Sequence, residues 1–167
     1  ALSLPIWKLG SGSREVIANL PYNISTKILI NLLKNSSQFS KLTMMFQKEV
    51  ANRIIAKPGS KPYSRLSVIT QLKTKTKILF DIPDTAFFPK PKVQSSLVQF
   101  IPHENGKYNF DFEKMEELTR FVFAKKRKML RTIFKKEGGS SFLNSINVDP
   151  NISCLLYTSP SPRDTMS

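Results

Sequence analysis

Acidic residues are scarce in this chain: 12 Asp and Glu stand against 26 Lys and Arg, leaving a formal charge of +14 over 167 residues and a pI near 10. That imbalance favours a polyanionic partner, either nucleic acid or an anionic membrane surface, and charge alone does not choose between them. Long apolar runs are missing too. None approaches the roughly 18 residues of a membrane span, and the N-terminus lacks the basic start and small-residue cleavage site of a signal peptide. One cysteine leaves no disulfide framework, so a reducing, cytoplasmic setting is the default. The lone histidine, His103, falls in a turn and reads as solvated rather than catalytic, and nothing in the pattern indicates a metal site. Apolar residues are not scarce: at 40% of the chain they suffice for a real core and exclude a wholly disordered protein.

What the chain does carry is an abrupt junction. The run Val16-Ile17-Ala18 reads as a buried strand and ends in Asn19-Leu20-Pro21-Tyr22-Asn23-Ile24-Ser25. Pro21 cannot continue a central ladder, so Asn19 and Tyr22 are presented just past the strand's carboxyl end, the edge where open α/β sheets bind ligands. Methylation of an exocyclic amine on a flat base suits such a cluster. The adenine amino lone pair is delocalised into the ring. If the Asn19 side-chain oxygen and a backbone carbonyl at Leu20 or Pro21 both accept hydrogen bonds from that amine, the nitrogen is drawn toward tetrahedral geometry. Tyr22 would stack on the ring, worth about 1–3 kcal/mol per base, and a base in a helix would first have to be unstacked or flipped. The plainer reading is a strand, a proline turn and a packing tyrosine.

Downstream, a helix is expected with Ser25 as its N-cap, running to about residue 35, with Ile24, Ile28, Leu29, Leu32 and Leu33 on one face. A strand over 42–46 and a helix over 47–56 follow, ended by Lys57-Pro58-Gly59. Strand, helix, strand, helix is half of a doubly wound sheet. Residues 57–65 form a basic loop in which Lys57, Lys61 and Arg65 either meet RNA phosphates or are simply solvated. Residues 66–72 are expected to be helical, and 73–80 a strand with a basic outer side and a buried apolar end. Phe87-Phe88-Pro89-Lys90-Pro91-Lys92 is a loop stiffened by prolines, followed by a strand over 95–101 that Pro102 stops. The two phenylalanines either plug the gap between the last strands or face a ligand. From Asn105 the pattern turns helical. Acids at Asp111, Glu113, Glu116 and Glu117 precede seven cations between Lys125 and Lys136, and this order serves either helix stabilisation or RNA backbone binding by Lys125, Lys126, Arg127, Lys128 and Arg131. Gly138-Gly139 end that run, and another helix begins near Ser140.

Taken in order, Asn19 to Ser25, Phe46-Gln47-Lys48-Glu49-Val50-Ala51-Asn52-Arg53, Lys57-Pro58-Gly59-Ser60, Tyr63-Ser64-Arg65-Leu66-Ser67-Val68, Phe87 to Ser95 and Lys126-Arg127-Lys128-Met129-Leu130-Arg131 resemble the ribosomal RNA adenine N6,N6-dimethyltransferase family over residues 14–152. The ordered set is more specific than any one piece. The resemblance implies an α/β fold: the C-terminal half of a Rossmann-like S-adenosylmethionine-dependent methyltransferase sheet, over residues 1–104, then a small partial helical RNA-binding domain over 105–153. It implies methyl transfer from S-adenosylmethionine to two adjacent adenosines near the 3′ end of small-subunit rRNA. The catalytic set would be Asn19, Leu20, Pro21, Tyr22 and Phe88, with Asn19 also touching the cofactor. Lys57, Lys61, Arg65, Lys90, Lys92 and the basic run would contact RNA. A monomer on the small ribosomal subunit, in the cytoplasm and with no membrane, is the expected setting. The macrolide-resistance type of large-subunit rRNA methyltransferase shares this motif order. A DNA adenine methyltransferase more often has Pro at the place of Leu20, and a non-catalytic ribosome-assembly module is the reading from another class.

The family's glycine-rich cofactor loop has no match here, because Gly10-x-Gly12 precedes a strand instead of following one. The start therefore reads as cut, and the sequence as inactive alone. Residues 154–167 have no period and read as a non-native tail resembling translated adaptor sequence.

Overall fold

A computed structural model of the chain describes residues 12–104, 110–125 and 128–153. The 154–167 tail, most of the first 13 residues, and Lys126 and Arg127 therefore lie outside the described residues. The chain runs β1 (Glu15–Ala18), α1 (Tyr22–Lys34), β2 (Lys41–Gln47), α2 (Lys48–Ile55), α3 (Arg65–Lys73), β3 (Thr74–Ile82), β4 (Ser95–Pro102), α4 (Phe112–Ala124), α5 (Leu130–Ile133) and α6 (Ser140–Ser145). No helix among the described residues is long and apolar enough to cross a membrane.

The four strands form one mixed sheet in the order β1-β2-β4-β3. β1 and β2 are parallel, joined by the α1 crossover that parallel neighbours require. β4 enters antiparallel between β2 and β3, pairing Met44 with Val98 on one side and Ile78 with Val98 on the other. Helices α1, α2 and α3 close a single core over the sheet. Leu29, Leu32 and Leu33 of α1, Ala51 and Ile54 of α2, and Ile69 of α3 meet Leu42, Met44 and Phe46 of β2 and Val98 and Phe100 of β4. Phe46 and Phe100 pack edge to face with centroids 6.1 Å apart, the arrangement that aromatic quadrupoles favour.

Several local expectations change. α1 starts at Tyr22 with Pro21 as its N-cap, and the Ser25 hydroxyl donates to the Tyr22 carbonyl from inside the first turn instead of capping. The φ of −54° at Pro21 is preset for a helix start, which is why the turn begins there. β1 is not buried on both faces. Val16 and Ala18 turn to the core while Ile17 is 81% exposed, because no described residue covers the opposite face of the sheet there. In β3 the buried end is Thr74. Leu79, within a register shift between Ile78 and Phe80, and Phe80 just after it lie exposed, reversing the expected order. His103 is not solvated: its backbone N–H donates to the Lys73 carbonyl at 2.9 Å and its Nε2 to the Gln71 carbonyl at 3.0 Å, tying the end of β4 to α3.

The basic run is not one helix. α4 ends at Ala124, and α5 begins only at Leu130 with Met129 as its N-cap. α4 carries its own acid cap, since Asp111 accepts from the backbone N–H groups of Glu113 and Lys114 at 2.9 and 3.1 Å. The edge-to-face pair Phe121–Phe134 and the tilted pair Phe134–Phe142 then draw α4, the end of α5 and α6 together.

Candidate active site

The β1–α1 junction and the 87–91 loop face each other across a cleft of about 390 Å³. Asn19, Leu20, Pro21 and Tyr22 form one wall, Phe87, Phe88, Pro89 and Pro91 the other, and Met45 of β2 also lines it. The local reasons are plain. β1 stops at Ala18 because Pro21 has no N–H for a ladder, and the chain turns at once into α1, so that Tyr22 sits half-buried in the helix's first turn. Opposite, Phe87 is half-buried while Phe88 is fully exposed at the rim. The sequence-predicted set Asn19, Leu20, Pro21, Tyr22 and Phe88 is thus brought together, and Phe87 joins it.

The hydrogen bonding separates two carbonyls that sequence left equivalent. Pro21 O already accepts from the N–H groups of Ile24 and Ser25, both at 3.1 Å, as the first turn of α1 demands. It is therefore the poorer acceptor for a ligand. Neither the Asn19 side chain, which is exposed, nor the Leu20 carbonyl has a hydrogen-bond partner among the described residues. The arrangement offers a flat ligand apolar and aromatic walls with two unclaimed acceptors at one end.

Two residues at this cleft were not singled out from sequence. Met45 lines it from the strand next door, and the Tyr22 hydroxyl bonds to Ser95 Oγ at 2.6 Å. Both look like ordinary strand residues in the sequence. Only the pairing of β2 with β4, which sets Gln47 beside Ser95, brings that end of β4 to the cleft.

The predicted cations scatter. Lys57, Lys61 and Lys92 are exposed, and Lys61 lines a second, larger cleft of about 710 Å³ with Asn52, Arg53 and Tyr63. Lys90 is paired with Asp84 at 3.1 Å. Arg65 departs most from expectation: its guanidinium bonds to Glu116 of α4, with its side chain only 28% exposed, so it joins α3 to α4 instead of facing solvent. Arg131 reaches Asn151 Oδ1 at 2.7 Å, and Lys125 lies 5.0 Å from the centroid of the Phe121 ring. Lys128 is exposed.

A family model for ribosomal RNA adenine dimethylases matches residues 13–154. The chain belongs to the ribosomal RNA adenine dimethylase family. Among curated relatives of this family, the ribosomal RNA small subunit methyltransferase A of Gluconobacter oxydans is 41% identical over 150 residues, covering 90% of this chain and 50% of the relative. The protein of the same name from Wolbachia pipientis is 50% identical over 117 residues, covering 70% and 44%. The chain spans about half the length of the relatives it matches. Among solved structures, a dimethyladenosine transferase from Plasmodium falciparum superposes with a TM-score of 0.70 at 32% identity, over 84% of this chain and 51% of that one. The 23S rRNA methyltransferase ErmE, at 18% identity, shares the fold with a TM-score of 0.66 over 95% and 64%. The α/β, Rossmann-like methyltransferase architecture expected from sequence is therefore the one this chain has.

Proposed function

We propose that the cleft between the β1–α1 junction and the 87–91 loop receives the target adenine in S-adenosylmethionine-dependent N6-dimethylation of two adjacent adenosines near the 3′ end of small-subunit rRNA. The observation that carries this is the cleft's lining: two aromatic walls, Tyr22 against Phe87 and Phe88, with the Asn19 side chain and the Leu20 carbonyl unclaimed at one end. The relatives named for the small subunit lie near 40% identity, which supports that substrate over the large-subunit alternative.

The chain's own residues would act in sequence. Tyr22 and Phe88 take the two faces of an unstacked base, and the apolar walls exclude water from it. Asn19 Oδ1 and the Leu20 carbonyl accept from the two N–H bonds of the amino group and draw its nitrogen out of the ring plane, which frees the lone pair without a strong base. S-adenosylmethionine supplies, when bound, a methyl group on a positively charged sulfur. Asn19 is the residue of this cleft suited to reach it. RNA backbone would run over the exposed Lys57, Lys61, Lys92, Lys125 and Lys128, with Lys126 and Arg127 beside them in the chain.

The decisive measurement is single-turnover methyl transfer by the intact protein that carries this chain. Asn19→Ala is expected to lower the rate by about 10²–10³, as for loss of one preorganised partner acting mainly in the transition state. RNA affinity should stay within about twofold, because phosphate contacts supply most of it. A rate within a few-fold of the parent would remove the amine-activation role.

A further inference from the structure

We infer that Ser95 is a positioning residue for this reaction: its hydroxyl holds the Tyr22 ring in the orientation that the incoming base stacks upon. This rests on the reading of the cleft as the adenine site. The bond between Tyr22 OH and Ser95 Oγ is 2.6 Å long and joins residues 73 apart in the chain. Ser95 is 0% exposed and opens β4, paired with Gln47 of β2 on one side and Ile82 of β3 on the other. Its hydroxyl is therefore fixed by a strand that is held on both edges.

The flanking residues are tied down as well. Ser96 Oγ donates to Asp81 Oδ1 at 2.7 Å, and Asp81 Oδ2 meets Lys48 Nζ at 2.7 Å. Lys48 Nζ reaches Gln94 Oε1 at 3.2 Å, and the Lys48 backbone N–H donates to the Gln94 carbonyl at 2.9 Å. Gln94, Ser95 and Ser96 are thus clamped from β2–α2 and β3 together, and the clamp ends on the phenol of the stacking tyrosine. Phe88 on the other wall has no such tether and is fully exposed. One wall of the cleft is preset and the other is not.

A buried serine needs some partner for its hydroxyl, so the bond by itself would also suit a purely structural role. The two roles differ in what the phenol is for. If the bond only satisfies Ser95, deleting the Tyr22 hydroxyl changes stability and leaves the reaction alone. If it sets the ring, the ring must be ordered anew by each incoming base once the tether is cut. That cost appears in the capture of RNA.

The test compares Tyr22→Ala, Tyr22→Phe, Ser95→Ala and the Tyr22→Phe/Ser95→Ala double variant in the intact protein, by kcat/KM and kcat for small-subunit rRNA, with melting temperatures measured in parallel. Tyr22→Phe and Ser95→Ala are each expected to lower kcat/KM by roughly two- to tenfold, more than they lower kcat, and the double variant should be no worse than the poorer single. Losses that multiply in the double variant, or parental kcat/KM in Ser95→Ala, would overturn the inference. Should Ser95→Ala not fold, Tyr22→Phe decides alone: parental kcat/KM overturns the inference, and a loss at unchanged melting temperature supports it. Parental rates in Tyr22→Ala would instead remove the adenine-site reading itself. A crippled Tyr22→Ala beside fully active Tyr22→Phe and Ser95→Ala would remove only the tether.

Discussion

Phe87 and Phe88 are adjacent in the chain and differ in what they are free to do. Phe87 is half-buried, so part of its ring packs against the protein, whereas Phe88 leaves its whole ring to solvent at the rim of the cleft. An exposed phenylalanine contributes almost nothing to stability, and substitution there is expected to change it by less than about 0.5 kcal/mol. Stacking on a base is worth about 1–3 kcal/mol. Phe88→Ala should therefore leave the melting temperature unaltered while weakening capture of an RNA carrying the target adenines, whereas Phe87→Ala should lower the melting temperature. Thermal melts beside RNA-binding isotherms for the two variants check this, and equal effects at both positions would contradict it.

At the scale of elements, Glu116 gathers three cations where the helical segment meets the sheet's helices. Glu116 of α4, 17% exposed, receives Arg65 of α3, Arg120 of its own helix at 3.3 Å and Lys34 of α1 at 3.7 Å. Removing one partner of a largely buried pair leaves the other charge uncompensated. Glu116→Ala is expected to cost about 1–3 kcal/mol, read as a lower denaturant midpoint. Glu113, 82% exposed and 3.7 Å from the same Lys34, should tolerate alanine within about 0.5 kcal/mol. A similar tie holds β3 to α2 and β4 through Asp81. Hydrogen bonds from Lys48 first and Ser96 second hold its carboxyl below the ordinary carboxylate pKa, against a smaller opposing contribution from desolvation. A carboxyl whose pKa is lower when folded stabilises fully above its unfolded value, and loses that contribution as pH falls through the folded one. The stability gap between the parent and Asp81→Asn should then be constant above about pH 5 and close as pH drops from about 4. Chemical denaturation across that range measures it, and a gap independent of pH would exclude the carboxylate as its source.

For the molecule as a whole, the +14 charge is divided between cations already used and cations left to solvent. Arg65, Lys90 and Arg131 are engaged with Glu116, Asp84 and Asn151. Lys61 and Lys128 are exposed and meet no acid among the described residues. Replacing both with Gln should weaken binding to many structured RNAs about equally, since phosphates carry no sequence information. Each lysine–phosphate pair removed should also flatten the slope of log affinity against log salt by about 0.7–0.9. Arg65→Gln should instead lower stability and leave that slope unchanged. Titrations at several salt concentrations separate the two, and an unaltered slope in the double variant would take these lysines out of the RNA path.

Sequence alone determined what depends on neighbours along the chain. From β1 to β4, apolar spacing placed the helices and strands to within a few residues, because period and side-chain direction are local properties of a helix or strand. Pro21 ending β1 beside Asn19 and Tyr22 was legible for the same reason, and so was Phe88 in its proline-stiffened loop. Tertiary structure alone decided the partners. A period of two says which face a strand residue takes and nothing about which strand lies beside it, so the pairing of β4 with β2 could not be read in advance. That pairing puts Ser95 against the Tyr22 hydroxyl and Met45 in the cleft, and brings Lys48 to Asp81. The Glu116 partner of Arg65, expected at RNA phosphates or in solvent, and the Gln71 carbonyl against His103, expected in solvent, were not legible, because a charge or an imidazole in a basic, loop-like stretch carries no mark of the acid or carbonyl that folding will set against it.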